Sequence, residues 1–329
     1  MNSSAANPNT PQLSVVVPAY NEEEVISEFH QRLSAVLDQI PNSEIIYVND
    51  GSNDGTLELL TGFRDADQRI AIVDLSRNFG KELATTAGLD HSRGDAVVLI
   101  DADLQDPPEL IPKMLLEWQK GFDVVYMQRS RRDGESALKK FTAWGFYRVL
   151  NKLSSVDIPA NVGDFRILSR RVVDVLCQLR ERNRFMKGLF AWIGFSQKSM
   201  SYQRDARFAG DTKWNYLALW NLAVEGITSF SVSPLKLASY IGFFTAAGAF
   251  FYGFWVILKT VLFGEPVPGY PTLMVVILFL GGMQLMALGV IGEYLGRMFI
   301  ETKQRPLYLL NQHYPSHTAT ERSNENPPQ

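Results

Sequence analysis

Between Leu13 and about Met127, short apolar runs alternate with longer amphipathic stretches, the pattern of strands buried in a sheet and helices that cover it. The runs are Leu13–Pro18, Ile45–Asn49, Ile70–Leu75, Ala96–Ile100 and Asp123–Met127. Each is short and rich in Val and Ile, as a strand covered on both faces should be, and the lengths between them suit helices. Five βα-type units and a mostly parallel, Rossmann-like α/β sheet are expected for residues 13–135. Ligands of such sheets bind beyond the carboxyl ends of the strands, so the polar residues after each run become the candidates for chemistry.

The pattern changes in the last third of the chain. Leu237 to Leu258 carries no charged residue, and neither does Pro266 to Gly292. Each stretch reaches the roughly 20 residues that cross the hydrocarbon of a bilayer. Two so close together favour a transmembrane hairpin over buried core helices. The hairpin is expected over 235–300, with spans near 237–260 and 272–294. Lys236 precedes the first, and Arg297, Lys303 and Arg305 follow the second, whereas the connection has no Lys or Arg beyond Lys259 near its start. This asymmetry puts both ends in the cytoplasm of a multi-pass cell-membrane protein. Gly281, Gly282, Gly289, Gly292 and Gly296 permit close helix approach, within one chain or between copies in a homo-oligomer.

Residues 136–234 join the two halves. In Ser136–Leu153, apolar residues such as Phe141, Trp144 and Phe146 are interleaved with Lys139, Lys140, Arg148 and Lys152. That composition suits a helix in the headgroup layer, and it suits equally a helix resting on the catalytic domain. Trp214–Phe230 is a second candidate for the interface. Residues 1–12 form a polar tail without the basic and apolar regions of a secretory signal, so the domain that follows is expected in the cytosol. Residues 301–329 read as a cytoplasmic C-terminal tail, disordered from Ser316 to Gln329. The formal net charge of -3 argues against a globally basic nucleic-acid binder. With Cys177 as the single cysteine, no intramolecular disulfide can form, and a buried, inert thiol is expected.

Asp101-Ala102-Asp103 follows the fourth run immediately. Two carboxylates where a strand ends suit Mg²⁺ or Mn²⁺, which take carboxylate oxygens and complete their shell with water and substrate phosphates. An isolated Asp-x-Asp is also an ordinary solvated turn, so position matters more than spacing. Glu22 follows the first run and Asp50 the second, bringing acidic residues from three strand ends to one edge of the sheet. Helix capping is the other reading of Asp50 and Asn53. His30, His91, His313 and His317 lack metal-ligand spacing and are assigned no role, the last two lying with the tail. Gly80 and Gly88 fit no dinucleotide fingerprint, and there is no Walker A sequence.

Six stretches carry a resemblance: Val17–Glu22, Val48–Ser52, Arg77–Lys81, Asp101–Pro107, Asn161–Arg166 and Ala209–Trp214. In these the chain resembles the inverting GT-A glycosyltransferases of the dolichol-phosphate-mannose-synthase and bactoprenol-glucosyltransferase type, over about residues 13–310. Glu181–Gly188 and Leu280–Gln284 resemble the bactoprenol glucosyltransferase branch. The resemblance implies a GT-A catalytic domain, interfacial helices and two C-terminal transmembrane helices. It implies that Pro18, Tyr20 and Glu22 line the nucleotide pocket, that Asp50 binds uridine, and that Asp101 and Asp103 engage the metal with Gln105 nearby. Arg129, Arg207 and Lys213 then hold phosphate groups of donor or acceptor, whereas Arg131 and Arg132 read better as a solvated charge run.

The activity so implied is inverting transfer of a hexose, glucose from UDP-glucose, to undecaprenyl or another polyprenyl phosphate. Metal and arginines stabilise the leaving diphosphate at an oxocarbenium-like transition state. The acceptor monoester, with a second pKa near about 6, is already mostly ionised. No strong base is needed. Asp103 and Arg207 are expected to act in catalysis with Asp164, which orients acceptor hydroxyls or assists proton transfer; a turn aspartate paired with Arg166 is the other reading of Asp164. GDP-mannose or another nucleotide sugar is the alternative donor. A processive polysaccharide synthase lacks support, since no Gln-x-x-Arg-Trp motif is present. A non-catalytic scaffold or flippase partner is disfavoured by the intact carboxylates Asp101, Asp103 and Asp164.

Overall fold

The computed structural model describes residues 12–129, 162–182, 184–202, 233–263 and 269–316. Four strands, β1 (Leu13–Ala19), β2 (Ser43–Asn49), β3 (Ile70–Leu75) and β4 (Ala96–Leu99), form a parallel block in the order β3-β2-β1-β4. Their period-2 side chains face two apolar layers. Val15 and Val17 meet Phe29 and Leu33 of α1 (Ile26–Leu37) on one face, and Val16 and Val48 meet Ala84 and Ala87 of α3 (Lys81–His91) on the other. Phe29 and Leu33 are wholly buried, each contributing about 1.5–3 kcal/mol of hydrophobic stabilisation. Gly88 lets α3 lie directly on the sheet: a Cβ there would come 2.2 Å from Val16 Cγ1. Helix α2 (Thr56–Ala66) connects β2 to β3, and α4 (Ile111–Gln119) follows β4 after a single 3₁₀ turn.

The four runs read as β1–β4 form the expected strands. The fifth becomes β5 (Val124–Arg129), but not as β4's neighbour. Strand β6 (Val162–Ser169) lies between them, antiparallel to both. Helices α5 (Arg170–Gln178) and α6 (Met186–Trp192) follow, and β7 (Gln197–Tyr202) pairs in parallel with β5 at the outer edge. The sheet is therefore mostly parallel, with β6 opposed, and it draws on a segment the sequence assigns to the acceptor and membrane side. The expected helices in Ser136–Leu153 and Trp214–Phe230 lie outside the described residues.

Two long helices follow, α7 (Ser233–Phe263) and α8 (Tyr270–Thr302), both longer than the stretches expected to cross a bilayer. Among the described residues, Phe279–Thr302 is long and apolar enough for a membrane span. Beyond α8 the chain returns to the sheet. Strand β8 (Leu310–Tyr314) pairs antiparallel with β3, in a segment read from sequence as tail. The return extends further: Ser316, expected to begin a disordered stretch, is buried and accepts a hydrogen bond from Arg93 Nη2 at 3.2 Å. His313, placed with the tail, sits in β8 with its ring centroid 4.7 Å from that of His91. The Cys177 thiol is pushed up to about 12 by burial and the nearby Asp90 carboxylate, which fits an inert thiol.

Candidate active site

The loops after β1 and β2 interlock above the parallel block. Asn21, in the left-handed region at φ 53°, donates its N–H to Ser52 Oγ at 3.0 Å and accepts from Asn53 N at 2.9 Å. Glu22 N–H donates to Thr56 Oγ1 at 2.9 Å. Pro18 and Tyr20 lie at the end of β1 on this edge, Tyr20 being 40% exposed. Asp50, expected to face the uridine, is buried. Its carboxylate accepts Phe79 N–H at 2.7 Å and Gly80 N–H at 2.9 Å, tying the loop after β3 to the one after β2. Burial pushes the Asp50 carboxyl up, against those two N–H groups. Gly51 is needed at this crossing: its φ is +65°, and a Cβ would come 2.4 Å from the Arg77 carbonyl carbon.

The acidic cluster is built by β4 and β6. Their antiparallel register pairs Ala96 with Ser169 and Leu99 with Arg166. Continued by two residues, it sets Asp101 across from Asp164. Asp164 is thus a strand residue rather than a turn residue. Arg166 does not pair with the Asp164 carboxylate either, stacking instead on Phe190, 3.6 Å from the ring centroid, and donating Nη2 to Gly163 O at 2.8 Å. Asp103 accepts Gln105 N–H at 3.1 Å, and between them buried Leu104 is held at φ 59°, an unusual conformation for a branched residue. The loop is fastened below, where buried Asp106 accepts the Tyr202 hydroxyl of β7.

Sequence reasoning missed Lys81, the first residue of α3. Its Nζ bridges Asp101, at 2.7 Å from Oδ2, and Asp164. The only sequence signal was its place in the Arg77–Lys81 stretch. Burial and the charges of Asp164 and Asp103 push Asp101 up, with Lys81 opposing. Burial works the same way on Asp164, but Lys81 and Lys187 outweigh it and hold this carboxyl below the ordinary range. The neighbouring Glu82 is pushed up to about 7 by burial and then by Asp164, while it accepts Met186 N–H at 3.1 Å. Asp101 and Asp164 thus share one bridging ammonium, while Lys187 and Arg166 act on Asp164 through space.

That donor set suits a divalent cation held by one or two carboxylates and otherwise by substrate oxygens. Among the described residues no group of three or more acidic, His or Cys side chains forms a closed metal cage. Arg129 ends β5, while Arg207 and Lys213, with Arg131 and Arg132, lie outside the described residues.

An α/β sheet with acidic residues gathered at the carboxyl ends of its parallel strands, with two long apolar helices inserted before its last strand, is the build of a glycosyltransferase that carries a helical hairpin. Residues 14–177 match the Glycosyl transferase family 2 model, and residues 233–298 match the GtrB C-terminal hairpin model. The chain belongs to glycosyl transferase family 2. It is 52% identical to an uncharacterized glycosyltransferase of Synechocystis sp., over 92% of this chain and 95% of that protein. It is 49% identical to a bactoprenol glucosyl transferase of Shigella phage SfX, over 91% and 98%. A glycosyltransferase of Bacillus subtilis is 47% identical, over 92% and 94%.

Proposed function

We propose that this glycosyltransferase moves glucose from UDP-glucose to a polyprenyl phosphate at the cytoplasmic face of the membrane, with inversion at the sugar carbon and with Mg²⁺ or Mn²⁺. The observation that carries the reading is the convergence of Asp101, Asp103, Asp164 and Lys81 on one edge of the sheet, in a chain 49% identical across nearly the whole length of a bactoprenol glucosyl transferase. α7 and α8 form a two-span hairpin that holds this edge near the lipid headgroups.

The interlocked loops after β1 and β2, with Pro18, Tyr20 and Glu22, receive the nucleotide. Asp50 acts by fixing the loop that completes this pocket. Asp101 and Asp103, with Gln105 beside them, would hold the cation. When bound, the cation supplies positive charge that stabilises the departing nucleotide. Lys81 opposes protonation of Asp101 and Asp164 and holds them in register, and it offers an ammonium to phosphate oxygens. Asp164 orients the acceptor. Because the phosphate monoester arrives ionised, its oxygen attacks the sugar carbon directly as the bond to the diphosphate breaks. Arg129, Arg207 and Lys213 supply cations for the donor and acceptor phosphates.

Transfer of radiolabelled sugar from a panel of UDP- and GDP-sugars to undecaprenyl phosphate tests this reading, with either cation or with EDTA. Labelling from UDP-glucose alone, abolished by EDTA and by Asp103→Ala, is the expected result. Labelling from GDP-mannose instead replaces the donor. No labelling from any donor by folded protein refutes the proposal.

A further inference from the structure

Away from the acidic cluster, a cavity of about 280 Å³ opens where the foot of α8 meets the catalytic domain. Four cationic residues line it: Arg77 after β3, Arg182 after α5, and Lys303 and Arg305 just beyond α8. No carboxylate lines it among the described residues, and Arg77, Lys303 and Arg305 make no ion pair there. Arg77 stacks on Phe79 and Lys303 on Phe299, at 4.1 Å and 4.0 Å from the ring centroids. Arg182 is fastened by Glu301, whose Oε1 accepts Arg182 N–H at 2.7 Å and whose carbonyl accepts Nη1 at 3.0 Å. Its Nε is buried, without a hydrogen-bond partner among the described residues. The remaining wall is apolar and includes Phe299 and Ile300, both exposed on α8 at the end of the apolar Phe279–Thr302 stretch.

Glu301 balances Arg182 and the Asp50 carboxylate acts on Arg77, but among the described residues no carboxylate pairs with Lys303 or Arg305, and that surplus of positive charge beside a buried unsatisfied donor calls for an anion. An apolar wall continuous with a membrane helix calls for an anion that carries hydrocarbon. We propose that this cavity binds the phosphate headgroup of an anionic glycerophospholipid of the surrounding bilayer, with an acyl chain running along α8 past Ile300 and Phe299. The inference rests on the membrane-hairpin reading given above. The glycosyl acceptor is not the occupant, because of the geometry of α3. Lys81 of α3 faces the carboxylates and Leu83 lines the cavity; two residues apart on a helix, they point to opposite sides. A phosphate in the cavity is therefore turned away from the transfer site. It sits instead against the Arg77–Phe79 loop, whose Phe79 N–H holds Asp50. Lipid binding at α8 thereby steadies the loop that completes the nucleotide pocket.

The test uses the full chain in neutral detergent and follows its thermal midpoint with four additives: phosphatidylglycerol, phosphatidylcholine, inorganic phosphate and undecaprenyl phosphate. Phosphatidylglycerol is expected to raise the midpoint, and phosphatidylcholine and inorganic phosphate are not. The double variant Lys303→Gln, Arg305→Gln, which leaves the acidic cluster intact, is expected to need about tenfold more phosphatidylglycerol for the same shift. Three results overturn the proposal: equal shifts with both phospholipids, an unchanged response in the variant, or inorganic phosphate alone reproducing the effect. A variant that loses its response to undecaprenyl phosphate, while phosphatidylglycerol does nothing to the wild type, also overturns it and makes the cavity an acceptor site. Flotation with neutral vesicles separates the two readings. Protein that floats but ignores phosphatidylglycerol sinks only this inference, and protein that does not float sinks the membrane hairpin with it.

Discussion

Replacing Lys81 with methionine removes the one cation that bridges Asp101 and Asp164 while keeping most of the side-chain volume. The Lys81 side chain is 45% exposed, so its contacts lie nearer the aqueous limit than the buried one. A unit-charge contact at such range is worth about 1 kcal/mol in water and about 4 kcal/mol at an effective dielectric constant near 20. Discounting two contacts for solvent screening leaves about 2 kcal/mol, lowering the thermal midpoint by about 4–8 °C for a domain of this size. The sign of the pH dependence follows from the carboxylates. Without Lys81, Asp101 and Asp164 repel each other only when both are ionised, so the loss grows as pH rises above the carboxyl range. Melting in EDTA at about pH 8 and about pH 5 reads this directly, and adding Mn²⁺ at about pH 8 should narrow the gap by restoring positive charge. Midpoints within about 1 °C of wild type in EDTA at about pH 8, or a loss equal at both pH values, refute the bridging role. A gap widened by Mn²⁺ refutes the cation site.

Glu82, raised to about 7 in the fold against an ordinary 4.5, binds its proton more tightly folded than unfolded, so wild-type stability falls as pH rises between those values. Glu82→Gln keeps an acceptor for Met186 N–H and removes the titration, so the variant should melt higher than wild type above about pH 7, by at most about 3 kcal/mol, with the advantage vanishing below about pH 4.5. A wild-type melting profile flat across this window contradicts the assignment. Gly88→Ala improves helix propensity by about 1 kcal/mol, yet its methyl would collide with Val16 Cγ1, and overpacking costs about 1–3 kcal/mol. A lower midpoint is expected, and a raised one shows that α3 can shift away from the sheet.

The sequence made β1–β4 legible because strands covered on both faces must be apolar throughout, and Val and Ile runs announce that. It did not show β6 between β4 and β5. Val162–Ser169 places Asp164 and Arg166 among apolar residues, and nothing in one strand's composition names its neighbours. The edge strands were harder still. Gln197–Tyr202 and Leu310–Tyr314 are largely polar, as an edge that resists further pairing should be, and so resemble loop or tail. At the site, Asp101 and Asp103 stood out by following a strand. Lys81 did not, since a lysine opening an amphipathic helix is ordinary until β4 and β6 bring their carboxylates to it. Asp50 stood out for the same reason as Asp101, but its carboxylate is turned inward to the Phe79–Gly80 loop.

The pairing of β8 with β3 gives the hairpin a topological status that matters for engineering. The long helices are an excursion between two strands of one sheet rather than a terminal appendage. Cutting the chain before Ser233 to obtain a water-soluble enzyme would discard Leu310–Tyr314 along with the helices and bare the hydrogen-bonding edge of β3, whose residues are all buried. An uncovered edge of that kind invites strands from other molecules. A soluble version is better made by excision, rejoining the chain across the missing helices so that the last strand still closes the sheet.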